Sequence, residues 1–212
     1  MGTFDSSLED LYQTAGRALP VALQDWNERI DRWAAEYHAI FGRSDIFSIN
    51  ADYAVFIWDD AFERVLLAFA VSRPQLGVRD KLMMRHFPDV SESVRKALGD
   101  DRAFPADRGH FLGHASGGRL DINLFPQRRD LNRGWQSKDK AFPDSEGIVF
   151  RGMEKFVADN LGTFFYHRAI YDDETWVPYR LEYGVLKNDS DWWIESFQNQ
   201  RPRVNGGSGT PQ

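Results

Sequence analysis

The residues best suited to do chemistry lie between positions 107 and 135. Asp107-Arg-Gly-His110 is followed by Asp121-Ile-Asn-Leu-Phe-Pro-Gln-Arg-Arg-Asp-Leu-Asn132-Arg-Gly-Trp135. Imidazole is the side chain whose ordinary pKa lets it take up a proton near neutral pH, so His110 is a candidate general base. Asn132 offers a neutral carbonyl oxygen, a donor suited to a hard cation such as Mg2+, which prefers oxygen and keeps most of its waters. Gly117-Gly118 signals a turn between the two, and Leu120 to Phe125 alternates as a strand returning toward the first. The order is strand, loop, strand, then a helix opening near Asn132. A base and a metal ligand would then face each other across one compact unit.

The blocks DRGH and NLFPQxxxLNxG resemble the DNA/RNA non-specific endonuclease family, a branch of the ββα-metal (His-Me finger) nucleases. The resemblance covers residues 107 to 135 and extends more weakly to Met153-Glu154. It implies that His110 activates a water, that Asn132 binds a divalent metal, Mg2+ or another such as Mn2+, and that Arg108 contacts phosphate or the transition state. Asn123 falls where the family has a second asparagine that supports the site. The family also places a glutamate a few helical turns after the metal-binding asparagine. Glu154 in Phe150-Arg-Gly-Met153-Glu154 resembles that block, but Pro143 would interrupt a helix running on from Asn132, so Glu154 has to return by tertiary folding. Asp139, seven residues after Asn132 and on the same helical face, is the competing metal candidate.

Composition bounds these expectations. The chain has 212 residues, 42% hydrophobic and 14% aromatic, and so can bury a sizeable core. It has no cysteine, which excludes disulfides and thiolate metal sites. The densest apolar run, Val65 to Val71, is too short to span a membrane. Met1 to Asp10 lacks a cationic and apolar leader, which argues against a cleaved secretory peptide. A formal charge of −6 is unfavourable for binding phosphate. From Arg108 to Lys140, however, seven cations stand against three anions, and Arg128, Arg129 and Arg133 join Arg108 as candidate substrate contacts.

The expected activity is metal-dependent hydrolysis of phosphodiester bonds in DNA, and in RNA by the same chemistry. It would proceed without sequence preference, because no base-edge reader is visible. A broadly acting nuclease of this kind implies export by a signal-independent route, as a toxin or effector, or neutralisation by an inhibitor or immunity protein. The alternative is a non-catalytic nucleic-acid-binding or protein-interaction module that retains the motif scaffold.

The surrounding elements must position these groups. Residues 7–19 and a second segment from Pro20, with Leu23, Trp26, Ile30, Trp33, Tyr37 and Ile40, have helical spacing up to Gly42. Tyr53 to Trp58 is strand-like. Asp59 or Asp60 is expected to cap a helix carrying Phe62, Val65, Leu66 and Phe69, and Asp89-Val-Ser-Glu92 to cap another. Ser145 to Leu161 predicts a helix, and residues 163–171, 177–186 and 192–197 predict an antiparallel sheet with a hairpin turn at Asn188 to Asp191. The spacing of His110 and His114 would suit a zinc site on a helix, but the surrounding glycines make His114 a loop residue. His167 is expected to be structural. The fold class is α+β: a helix-rich N-terminal region over 1–100, a ββα-metal core over 101–198 packed with the C-terminal sheet, and a flexible tail over 199–212, all one globular unit.

Overall fold

The computed structural model describes residues 8–75, 89–119 and 122–202. Helix α1 spans Leu8–Thr14 and α2 spans Trp26–Phe41, preceded by a single 3-10 turn at Val21–Leu23. Trp26, Ile30, Ala34 and Tyr37 form the buried stripe of α2, as their spacing predicts, and Gly42 closes it. Strands β1 (Ile46–Asn50), β2 (Val55–Asp59) and β3 (Arg64–Val71) follow. Next come α3 (Val90–Leu98), β4 (Ala106–His110), β5 (Leu124–Arg128), α4 (Arg129–Arg133) and α5 (Glu146–Asp159). The described chain ends with β6 (Phe164–Ile170), β7 (Arg180–Lys187) and β8 (Asp191–Gln198).

Six strands form one antiparallel sheet in the order β1-β2-β3-β6-β7-β8, and β4 and β5 form a separate two-stranded ribbon. The fold is therefore α+β, but the stretch after Asp59 is a strand where the sequence predicts a capped helix. Every residue of β3 is buried, because it lies mid-sheet with both faces covered. Such a strand reads as a continuous apolar run whose period does not distinguish it from a buried helix. Asp59 ends β2, and its carboxylate accepts from the Tyr37 hydroxyl at 2.5 Å and from the Asp45 and Ala61 N–H groups at 3.0 Å. The expected cap at Asp89 does form, accepting from the Ser91 and Glu92 N–H groups. The turn after β7 places Asn188 and Asp189 at positive φ, a conformation these residues tolerate.

Alternation along β6 divides its side chains between two layers. Phe164 and Tyr166 meet Trp26 of α2 on one face, and His167 packs with Phe150 of α5 and Tyr183 of β7 on the other. The sheet is thus covered by α2 on one side and by α5 with the ββα unit on the other. A smaller apolar cluster of Val94, Phe104, Ala106, Phe142 and Val177 ties α3 to the start of β4. Asn199 and Gln200, expected to open a loose tail, are fully buried. Asn199 accepts from the Arg128 N–H and donates to the Pro126 and Pro178 carbonyls, which fastens the end of β8 to β5.

Candidate active site

The strand, loop, strand, helix order expected around His110 is present as β4, β5 and α4, but the second strand runs over Leu124–Arg128 rather than Leu120 to Phe125, with Ile122 and Asn123 in a turn and residues 120 and 121 outside the described ones. Antiparallel pairing sets His110 against Leu124 and Arg108 against Pro126. A proline in β5 costs little because the ribbon has only two strands. Asn123, just before β5, holds the loop that leaves His110. Its Oδ1 accepts from the Leu112 N–H at 2.8 Å, and its Nδ2 donates to the Leu112 carbonyl at 2.8 Å and the Arg119 carbonyl at 3.0 Å. The Phe111 N–H donates to the Asn123 carbonyl at 2.9 Å. Asn123 is wholly buried, and its side chain braces the loop that follows His110.

Helix α4 is only five residues long, too short to hold itself together in isolation. Asp107 anchors it to β4, accepting from Arg129 Nε at 2.9 Å, Arg133 Nε at 2.6 Å and, more weakly, Asn132 Nδ2 at 3.4 Å. Burial pushes the Asp107 carboxyl toward the protonated form, but the Arg133 and Arg129 guanidiniums prevail and hold its pKa below the ordinary value. Gly134, at φ 70°, ends the helix in the left-handed region.

Helix α5 then crosses α4 at very short range. A Cβ on Gly147 would lie 2.3 Å from the Trp135 carbonyl and 2.6 Å from that of Asp130, so only glycine permits the approach. The crossing carries Glu154 back to the motif, where its carboxylate accepts from Arg151 Nη1 at 2.8 Å. Its Oε1 lies 3.6 Å from the point a Cβ on Gly113 would occupy, in the loop after β4. His110, Asn132, Arg133, Arg151, Glu154 and Lys155 all line one open cleft of about 750 Å3. His110 sits low in it at 8% exposure.

Other sequence candidates fall elsewhere. Asp139 lines a different cavity from Glu154 and pairs with Arg201 at 2.8 Å. Arg128, expected to touch substrate, is 2% exposed. Its guanidinium is spent on Asp130, Glu146 and the Gln198 carbonyl, with the Phe142 ring 4.1 Å away. Arg129 and Arg133 are partly exposed but share Asp107. Arg108, two residues before His110 on the same face of β4, is not among the residues lining the cleft. His114 lies in a 3-10 turn at the cleft edge, its Nδ1 3.1 Å from the Gly118 carbonyl. The sequence reading did not assign Arg151, Lys155 or Trp135 to the site. Helical spacing around Glu154 could have found Arg151, one turn before it.

Two oxygen donors suited to a hard divalent ion, the Asn132 carboxamide and the Glu154 carboxylate, therefore share the cleft with His110. Among the described residues no group of three or more His, Asp or Glu side chains is placed to hold a metal. No helix among the described residues is long and apolar enough to cross a membrane.

No protein-family model and no curated protein sequence matches the chain. Among solved structures the chain is similar to an extracellular endonuclease, at 15% identity and a TM-score of 0.42, covering 78% of this chain and 83% of that one. It is also similar to Sda1 nuclease with a bound zinc ion, at 14% identity and a TM-score of 0.44, covering 79% and 94%. A third is the EndoG/EndoGI complex, which describes inhibition of EndoG, at 14% identity and a TM-score of 0.40, covering 77% of each chain. At this degree of likeness the chemistry has to be read from the cleft itself.

Proposed function

We propose that the protein is a metal-dependent endonuclease that hydrolyses phosphodiester bonds of DNA, and of RNA, without reading sequence. The observation that carries this is the convergence of His110 from β4, Asn132 from α4 and Glu154 from α5 on one open cleft with a cationic rim. His110 accepts a proton from a water, the resulting hydroxide attacks phosphorus, and the P–O bond opposite it breaks. Asn132 and Glu154 would hold a divalent ion, Mg2+ or Mn2+, which when bound neutralises charge on the phosphate and the leaving oxygen. Arg133, Arg151 and Lys155 draw the backbone phosphates in, and Arg108, outside the cleft lining but on the His110 face of β4, would reach only a phosphate flanking the scissile one. Action without sequence preference follows if phosphate contacts by these cations set the register.

The test is digestion of plasmid DNA and of RNA with Mg2+, with EDTA, and with folded His110→Ala and Asn132→Ala proteins. The expected result is loss of cleavage in EDTA and a fall of about 100-fold or more for His110→Ala, the usual worth of a general base. A folded His110→Ala protein that cleaves at the native rate refutes it. Native protein that binds nucleic acid but cleaves nothing in Mg2+ or Mn2+ makes the chain a non-catalytic module instead. A broad nuclease also endangers the cell that makes it, so the proposal includes export as a toxin or effector, or a tight inhibitor or immunity protein. Co-purification of a small acidic protein that blocks cleavage supports this. Free active enzyme tolerated inside the producing cell opposes it.

A further inference from the structure

Trp135 lines two cavities at once. On one side is the catalytic cleft, and on the other is a cavity of about 880 Å3 whose walls include Pro105, Phe142, Ile148, Lys138 and Arg201. Its volume lies in the range of sites that enclose a nucleotide-sized ligand. Two large apolar side chains stand unusually open on it, Trp135 at 52% and Ile148 at 50% exposure, above a buried Phe142. The Trp135 backbone is nonetheless fixed: its N–H donates to the Asp130 carbonyl at 2.9 Å, and Gly147 packs against its carbonyl. The indole is therefore an exposed ring on a rigid support, with the Arg133 guanidinium 4.9 Å from its centre. Both carboxylates in the cavity wall are engaged, Asp130 by Arg128 and Asp139 by Arg201. The wall carries four cations, Arg128, Arg129, Lys138 and Arg201, against these two carboxylates, so its formal charge is positive even with the pairs counted.

We propose that this second cavity is a subsite for an unstacked nucleobase of the strand whose backbone occupies the catalytic cleft, with Trp135 as the stacking platform. The inference rests on the nuclease function proposed above. Continuity through a shared wall selects this occupant, because Trp135 lines both the cleft that holds Asn132 and this cavity. An aromatic ring with an apolar floor and a cationic rim binds single strands regardless of base identity, since every base has a π face. A duplex keeps its bases stacked and cannot use the platform without unpairing. Cleavage should accordingly favour single-stranded or frayed substrate.

The experiment uses the full chain carrying His110→Ala to prevent turnover, with fluorescein-labelled 12-mer DNA, single- and double-stranded, followed by anisotropy in Mg2+. Adding Trp135→Ala is expected to weaken single-strand binding about 5- to 100-fold, the loss found when one stacked base loses its ring. Trp135→Phe should stay within about threefold of the parent, and duplex binding should change less than single-strand binding. Ile148→Glu, an exposed position on α5, should weaken single-strand binding independently of Trp135. In the His110 protein, Trp135→Ala should raise KM on single strands more than it lowers kcat. Unchanged single-strand affinity in both variants, with the native enzyme still cleaving DNA, overturns the subsite and leaves the nuclease standing. Equal losses on single and double strands also overturn it, because the ring would then be serving the backbone. If the native chain neither cleaves nor binds nucleic acid, both proposals fall.

Discussion

Replacing Asn123 tests whether the loop after His110 is held from within the protein. The side chain bonds twice to Leu112 and once to Arg119, at 2.8 to 3.0 Å and at zero exposure. Each is worth about 1 kcal/mol net, and the groups left behind at buried Leu112 have no water to turn to. Asn123→Ala should therefore cost about 3 kcal/mol, a large share of the roughly 5–15 kcal/mol that holds such a domain together. Asn123→Asp discriminates further. Its carboxylate keeps the acceptor for the Leu112 N–H but turns the two donating bonds into oxygen facing carbonyl oxygen. Burial and those carbonyls would raise the folded pKa of this Asp above its unfolded value of about 3.9. The folded state would then hold the extra proton, so the variant should lose stability as pH rises above about 4 and fare worse at pH 7 than at pH 4.5. Urea unfolding with chelator present measures both variants, with m-values near native marking a change in stability alone. Cleavage assayed below the unfolding range should also fall, because His110 directly precedes the clamped segment. An Asn123→Ala protein within about 0.5 kcal/mol of native, the scale of an unconstrained surface change, would refute the clamp. So would an Asn123→Asp protein with no pH dependence of its own.

Three other outcomes follow from the geometry. Glu154→Gln keeps the side chain's size and removes its charge, so the concentration of Mg2+ giving half-maximal cleavage should rise at least tenfold, with the far-ultraviolet spectrum unchanged; an unaltered Mg2+ titration argues against Glu154 as a ligand. Burial lowers the His167 pKa to about 3, with the Phe111 backbone offsetting part of the shift. Between pH 6.5 and 3 the unfolded chain takes up a proton that the folded one refuses, so stability falls as pH drops, by about 3 kcal/mol between pH 7 and 4.5. His167→Phe should flatten that acid limb in urea titrations, and an identical limb in native and variant proteins would exclude His167 as its source. The Asp107 pKa is lowered, so its contribution is present above the ordinary carboxylate range and lost as pH falls through the lower folded value. Asp107→Asn should release α4 and cost about 2 kcal/mol at pH 7, measured by thermal unfolding, with the difference shrinking in strong acid.

The sequence by itself determined the chemistry on offer and the local order that presents it. DRGH, the paired glycines, NLFPQ and the asparagine before Arg133-Gly134 specify a strand, a turn, a strand and a short helix, because those signals are written within a few residues of one another. The stripe of α2, the Asp89 cap and the turn at Asn188 were legible for the same reason. Only the tertiary structure decided where the distant groups arrive. Arg64–Val71 is a strand because it is covered on both faces, a condition its apolar run does not state. Arg128 is withdrawn from solvent by Glu146 and the Gln198 carbonyl, partners that lie on other elements. Asn199 is drawn into the core by carbonyls of β5 and of the segment before β7. Glu154 lines the cleft that His110 lines, and Asp139 does not, because Gly147 lets α5 cross α4 at backbone contact, a steric fact that belongs to two segments together and to neither alone.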